Sequence, residues 1–264
     1  SVVTRVGTDG VARITFNRPQ VHNAIDEAVI AECTAGLRQV AADPAGRVVI
    51  VAGEGASFCA GADLNWMKRS AAYDEHQNYR EAADFAALLE ALHEMPKPTI
   101  ARVHGPAYGG GVGIVAACDI AIGTRGAAFS FSEVRLGLIP AMISPYAIAA
   151  IGERHARRYM LTAERIDAAE ALAIGLLDEV CDEAAHDERV REITASLLRG
   201  GPASVAACKR LIARVAHMPI DGEAREYTAR AIATIRASAE GKEGVAAFLE
   251  KRKPGWLPAE GTRS

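Results

Sequence analysis

The chain has 264 residues, half of them hydrophobic but only 5% aromatic, with a formal net charge of −3 and a sequence pI near 6.2. That length suits one large domain, or a core with a smaller appendage, and the aromatic-poor composition favours closely packed helices over a β-sandwich. No basic field is available, so neither nucleic acid nor an anionic membrane is an expected partner.

Val2–Val6 and Val11–Phe16 are short β-rich runs joined by Gly7-Thr8-Asp9-Gly10, a hairpin signal. Asn17-Arg18-Pro19 breaks the pattern, and Ile25 to Val40 reads as a helix. Arg47–Ala52 is a strand buried on both faces, by its continuous β-branched run. It leads through Gly53-Glu54-Gly55 into FCAGADLNWM, the entry to another helix, and a helical stretch follows from Asp74 to Glu94, closed by Pro96 and Pro98. Thr99–Val103 is the next strand, followed by a glycine row and an apolar run; short DIAIG and AAFSFS strands continue the series. From Ile143 onward the pattern is almost entirely helical, and a last short helix spans Glu243 to Arg252 before Pro254. No run approaches the ~20 apolar residues of a membrane span. The first residues carry no signal-peptide pattern, and the five cysteines are scattered and never in CxxC spacing. A reduced cytoplasmic protein is the expectation.

One unit therefore occurs twice: strand, glycine-bearing loop, helix start, in RVVIVAGEGASFCAGADL and again in TIARVHGPAYGGGVGI. Repeated turns of this kind imply an α/β core with its loops gathered at one edge, where ligands sit. Gly111-Val112-Gly113-Ile114-Val115-Ala116 does match the dinucleotide-binding spacing, with Glu133 twenty residues beyond Gly113. The apolar run is too short for the phosphate-binding helix, however, and no Gly-Lys-Ser/Thr follows to make a phosphate loop. Helix packing alone would explain a single glycine row, but not its duplication. Helix starts leave backbone N–H groups without internal partners, and two such donors from adjacent loops can stabilise one oxygen that gains negative charge. A thioester carbonyl becoming an enolate is such an oxygen.

SFCAGADL, HGPAYGGGVGIVAACDIAI and FSFSEVRLGLIP, in this order, resemble the enoyl-CoA hydratase/isomerase (crotonase) superfamily, and the likeness runs from the N-terminal hairpin to AFLEKRKP. GADLNWM and SEVRLGLIPAMISPY are most similar to bacterial methylglutaconyl-CoA hydratases and related carboxygeranoyl-CoA hydratases. The resemblance implies a spiral of repeated ββα turns over residues 1–195, holding the active site. It implies a C-terminal helical region over 196–264 that oligomerises and covers the site, and a homotrimer or dimer of trimers. It implies an oxyanion hole made by the N–H groups of Ala62 and Gly110, flanked by Gly61 and Gly109. It also implies that CoA, part of the substrate rather than a separate cofactor, runs along Val21, Ala24, Ala60 and Leu64, with Phe248 and Lys251 reaching it from a neighbouring subunit. No metal site is indicated.

Two-glutamate hydratases of that superfamily carry one acid in the helix after the glycine row and a second in the segment matching FSFSEVRLG. Here the first position is Gly113 and the second is Glu133. A lone carboxylate can still add water to an enoyl thioester if both proton transfers occur on one face, and it can equally move a double bond. The expected function is an enoyl-CoA hydratase for a short or branched acyl group. A Δ3,Δ2-enoyl-CoA isomerase and a non-catalytic acyl-CoA-binding protein are the competing readings. Trp66 and Met67 are candidates for the acyl pocket, with core packing the alternative, and Arg135, Lys68 and Arg69 are candidate partners for a distal substrate carboxylate. Gly113, where the first acid is missing, is a candidate substrate-binding position, with a vacated space for a water between Glu133 and the β-carbon. Glu153 is a second acid whose charged neighbours suggest a surface ion pair.

Overall fold

A computed structural model describes residues 1–257; the end of the proposed C-terminal region, 258–264, lies outside the described residues. In chain order the strands and helices begin with β1 (Val2–Val6), β2 (Val11–Phe16), α1 (Glu27–Ala42), β3 (Val48–Gly53), α2 (Leu64–Ser70) and α3 (Glu75–His93). β4 (Thr99–Val103), β5 (Pro106–Tyr108), α4 (Gly110–Ala117), β6 (Ile120–Thr124) and β7 (Ala128–Ser130) follow. The rest comprises α5 (Ser144–Thr162), β8 (Ile166–Asp167), α6 (Ala168–Ala173), β9 (Glu179–Cys181), α7 (Glu183–Arg199), α8 (Pro202–Val215), α9 (Gly222–Ala237) and α10 (Ala239–Leu249).

Six strands form one sheet in the order β1-β2-β3-β4-β6-β9. The β1–β2 hairpin is antiparallel and every later pair is parallel, in register Ile50↔Ile100 and Ala101↔Ala121. Successive residues of β3 face opposite sides of this sheet. Val49 and Val51 enter the large core that includes Leu37 and Leu88 of α1 and α3, whereas Val48 and Ile50 join Val190 of α7. Both faces are covered, which is why β3 reads as an unbroken apolar run. A smaller sheet, β5-β7-β8, stacks the second tier of turns. α4 is apolar all round because it is buried: Val112, Ile114 and Val115 are each at most 1% exposed.

Capping moves several element ends from where periodicity put them. Asp26 accepts the Val29 N–H, so α1 begins at Glu27 rather than Ile25. Asp74 and Gln77 close a capping box on α3, one residue inside the expected start. The last helix begins earlier than Glu243 and ends before Arg252, because Ser238 caps it at Ala239 and the chain turns left-handed at Lys251, with φ 54°. The nearly all-helical reading after Ile143 is corrected by β8 and β9; β9 adds an edge strand beside β6. The boundary between residues 195 and 196 falls inside α7. No helix among the described residues is long and apolar enough to cross a membrane.

Candidate active site

The two helix-entry loops lie side by side. Cys59 donates its N–H to the Pro106 carbonyl (3.1 Å), and Tyr108 donates to that of Cys59 (2.9 Å). On its other flank the first loop is stitched to Ile25, whose N–H donates to the Gly61 carbonyl (2.7 Å) and whose carbonyl accepts the Asp63 N–H (2.8 Å). In extended chain the intervening residue points its own polar groups the opposite way, so the Ala62 N–H faces away from Ile25. That N–H has no hydrogen-bond partner among the described residues. Nor has the N–H of Gly110, the first residue of α4, which is one of the donors a helix start leaves free.

Two glycines make this proximity possible. Gly61 has φ +89°, and a Cβ there would lie 2.9 Å from the Tyr108 carbonyl oxygen. Gly109 has φ +48°, and a Cβ there would lie 3.2 Å from Oε1 of Glu133. Any side chain at either position would strain the backbone, and would press on the neighbouring loop at Gly61 and on the Glu133 carboxyl at Gly109. The Gly109 N–H is anchored on the Ser130 carbonyl at 3.0 Å, which ties α4 to β7 and so to the turn that bears Glu133.

Glu133 opens a 3-10 turn, Glu133–Leu136, separated from β7 by Phe131 and Ser132. It is half-buried, its Oε2 is covered and without a partner among the described residues, and burial pushes its pKa above the ordinary glutamate range despite a hydrogen bond from its own backbone. A carboxyl held in this state is better suited to both take and return a proton than a solvated one. Glu153 instead pairs with Arg157 on the exposed face of α5 at 2.7 Å.

Of the other sequence candidates, Ala24, Ala60 and Gly61 lie in or beside the stitched loops, with the Ala60 N–H on the His22 carbonyl at 2.9 Å. Val21 and Leu64 are exposed. Trp66 is half-buried against the core and donates its indole N–H to Glu81 of α3 at 2.8 Å, and Met67 is likewise half-buried. Arg69 is already paired with Glu27, whereas the exposed side chains of Lys68 and Arg135 have no ion pair among the described residues. Phe248, 82% exposed, and Lys251 are not brought to the cluster within one chain; α10 packs on α8 and α9.

Gly113 leaves no such space: it is buried, and a Cβ there would lie 2.1 Å from Cγ2 of Ile143. Cys59 is a buried thiol with its pKa pushed up to about 12 by desolvation, consistent with a space-filling role. No group of three or more His, Cys, Asp or Glu side chains is arranged to hold a metal ion among the described residues.

Sequence reasoning missed the polar scaffold beneath the loops. Asp63 is 6% exposed; burial alone would raise its pKa, but the N–H groups of Asn65 and Trp66 and the charge of Arg18 outweigh that and lower it. An Asp directly before a helical pattern is the signal that could have marked it as a cap. Asn23, 1% exposed at φ 56°, donates to the Glu54 and Ser57 carbonyls at 2.8 Å each.

Comparison with known proteins agrees with this architecture. The family model described as enoyl-CoA hydratase/isomerase matches residues 7–258. An enoyl-CoA hydratase from Shewanella pealeana superposes with a TM-score of 0.94 at 41% identity, covering 97% of this chain and 95% of that one. (E)-Benzylidenesuccinyl-CoA hydratase of Thauera aromatica is 32% identical over 97% of this chain and 99% of its own. A 4-chlorobenzoyl coenzyme A dehalogenase of an Arthrobacter species is 35% identical over 72% of this chain and 70% of its own. The repeated turns thus form a crotonase α/β fold, and the chain belongs to the enoyl-CoA hydratase/isomerase family.

Proposed function

We propose that the protein is an enoyl-CoA hydratase acting on a short or branched α,β-unsaturated acyl-CoA, with methylglutaconyl-CoA the acyl group favoured by sequence resemblance. The observation that carries this reading is the Glu133 carboxyl: half-buried, seated against Gly109 next to two helix-entry loops, with one of its oxygens and the Ala62 and Gly110 N–H groups unpartnered among the described residues. In the proposed reaction those two N–H groups donate to the thioester carbonyl oxygen. Glu133 takes a proton from water as the water oxygen bonds to the β-carbon, and the π electrons move onto the carbonyl as an enolate. The protonated Glu133 then delivers its proton to the α-carbon on the same face, the enolate collapses, and the carboxylate is restored. Losing one oxyanion donor costs about 3 kcal/mol of transition-state stabilisation in comparable sites. Lys68 and Arg135, without an ion pair among the described residues, supply cations for a distal substrate carboxylate, as methylglutaconyl would carry.

A second reading, a Δ3,Δ2-enoyl-CoA isomerase, is favoured by the absence of any acid at Gly113 and by the apolar Ile143 packed there. A hydratase removes the conjugated-enoyl absorbance of a 2-enoyl thioester, whereas an isomerase creates it from a 3-enoyl thioester. Glu133→Gln is expected to lower kcat by about 10²–10⁴-fold in either case, and full activity in that variant would overturn both. Apolar residues exposed on the C-terminal helices, Ile232, Val245, Phe248 and Leu249, support assembly as a homotrimer or dimer of trimers. Sedimentation of the purified protein tests this.

A further inference from the structure

The Asn17-Arg18-Pro19 turn takes no part in the steps above, yet its guanidinium is among the most engaged groups near the site. Arg18 Nη1 lies 2.8 Å from Asp26 Oδ2 and donates to the Ala24 carbonyl at 2.8 Å, while Nη2 donates to Asp63 Oδ2 at 3.1 Å. Both carboxylates are helix caps that use their other oxygen for the cap: Asp26 Oδ1 accepts the Val29 N–H, and Asp63 Oδ1 accepts those of Asn65 and Trp66. The side chains are 18%, 18% and 8% exposed for Arg18, Asp26 and Asp63. Arg18 is itself held, its N–H donating to Asn23 Oδ1 at 2.8 Å.

These bonds close a ring around one residue. Asp63 follows Ala62 directly, and the carbonyl before Ala62 and the N–H after it are both tied to Ile25. Ile25 sits between Ala24 and Asp26, which the same guanidinium grips. We propose that Arg18 is a positioning residue that aims the Ala62 N–H by clamping the starts of α1 and α2 together; this rests on the reading of Ala62 as a donor to the thioester oxygen. The electrostatics support the geometry. One cation bridges two largely covered cap carboxylates that would otherwise repel each other, and that repulsion would drive the Ala62 loop away from Ile25. A lysine keeps the charge but lacks the planar fork that reaches both caps at once.

The test uses the full chain and a 2-enoyl-CoA substrate, with Arg18→Lys, Arg18→Met and Asp63→Asn. A displaced donor is expected to lower kcat by about 10²-fold, with KM changed by less than about threefold because the interaction, present weakly in the bound thioester, strengthens as the enolate forms. A second readout is spectroscopic: in a Glu133→Gln background, an aromatic enoyl-CoA thioester should show a red-shifted absorption from carbonyl polarisation, and Arg18→Lys should abolish the shift while the thioester still binds. Unchanged kcat, a KM effect alone, an intact red shift, or variants that all fail to fold would reduce Arg18 to a scaffold residue and overturn the proposal while wild-type hydration stands. A wild-type protein that turns over no enoyl thioester would instead remove the functional reading, and this inference with it.

Discussion

Ile143 fills the ground beside Gly113: its Cγ2 and Cβ would stand 2.1 and 2.7 Å from a Cβ on that glycine. Ile143 is 1% exposed, so the pair is a closed apolar joint between α4 and the start of α5. A glutamate cannot be added there in isolation. Gly113→Glu is expected to destabilise the protein by about 3 kcal/mol or more, from overpacking together with an unpaired buried carboxyl. Gly113→Glu combined with Ile143→Gly should recover a substantial part of that loss. Urea unfolding of the single and double variants measures both, and equal stabilities would show that the joint is not closed.

The raised pKa of Glu133 fixes the acid limb of the rate profile. The proposed mechanism requires the base form in the free enzyme, so kcat/KM should fall as pH drops through a midpoint above the ordinary glutamate value of 4.5. Burial is the cause, so the midpoint should change little with added salt. A midpoint at or below 4.5 would mean that the carboxyl is solvated in solution.

The same shift makes Glu133 a stability cost. A carboxyl with a raised folded pKa is penalised once the pH exceeds its unfolded value, and the penalty is complete above the folded value. Glu133→Gln should therefore melt at a temperature equal to or above the wild type at pH 7, and the difference should close as the pH falls below the ordinary glutamate range. Calorimetry at several pH values reads this directly. A lower melting temperature at pH 7 would argue for a structural role of the charge.

Asn23 anchors the loop that leads to the first helix entry. Asn23→Ala removes the donors to the Glu54 and Ser57 carbonyls and the acceptor for the Arg18 N–H, and it leaves an alanine in left-handed backbone. Unsatisfied buried groups cost about 1–3 kcal/mol each, so a loss of about 3 kcal/mol is expected by chemical denaturation. An effect below about 0.5 kcal/mol, as at an ordinary surface site, would show that water replaces these bonds.

Much of the architecture was legible because its causes are local. The hairpin residues, the doubly covered β3 and the two helix entries each rest on short-range chemistry: a turn, a β-branched run, or glycines followed by a helical pattern. β9 escaped because three residues carry no periodicity of their own and become a strand only beside β6. The last helix shifted because Ser238 and Lys251, rather than Pro254, set its ends.

The sequence by itself nominated the residues proposed for the chemistry. Gly110 opens a helix, where a free N–H follows from helix geometry, Ala62 directly precedes the Asp63 cap, and Glu133 is the acid after an alternating strand. Only the tertiary structure decided what surrounds them: Ile143, thirty positions from Gly113, closes the space there, and Arg18, forty-five positions from Asp63, grips the cap beside Ala62. Contacts of that span depend on how separate turns of the chain stack, and neither a hydrophobic period nor a local motif encodes them.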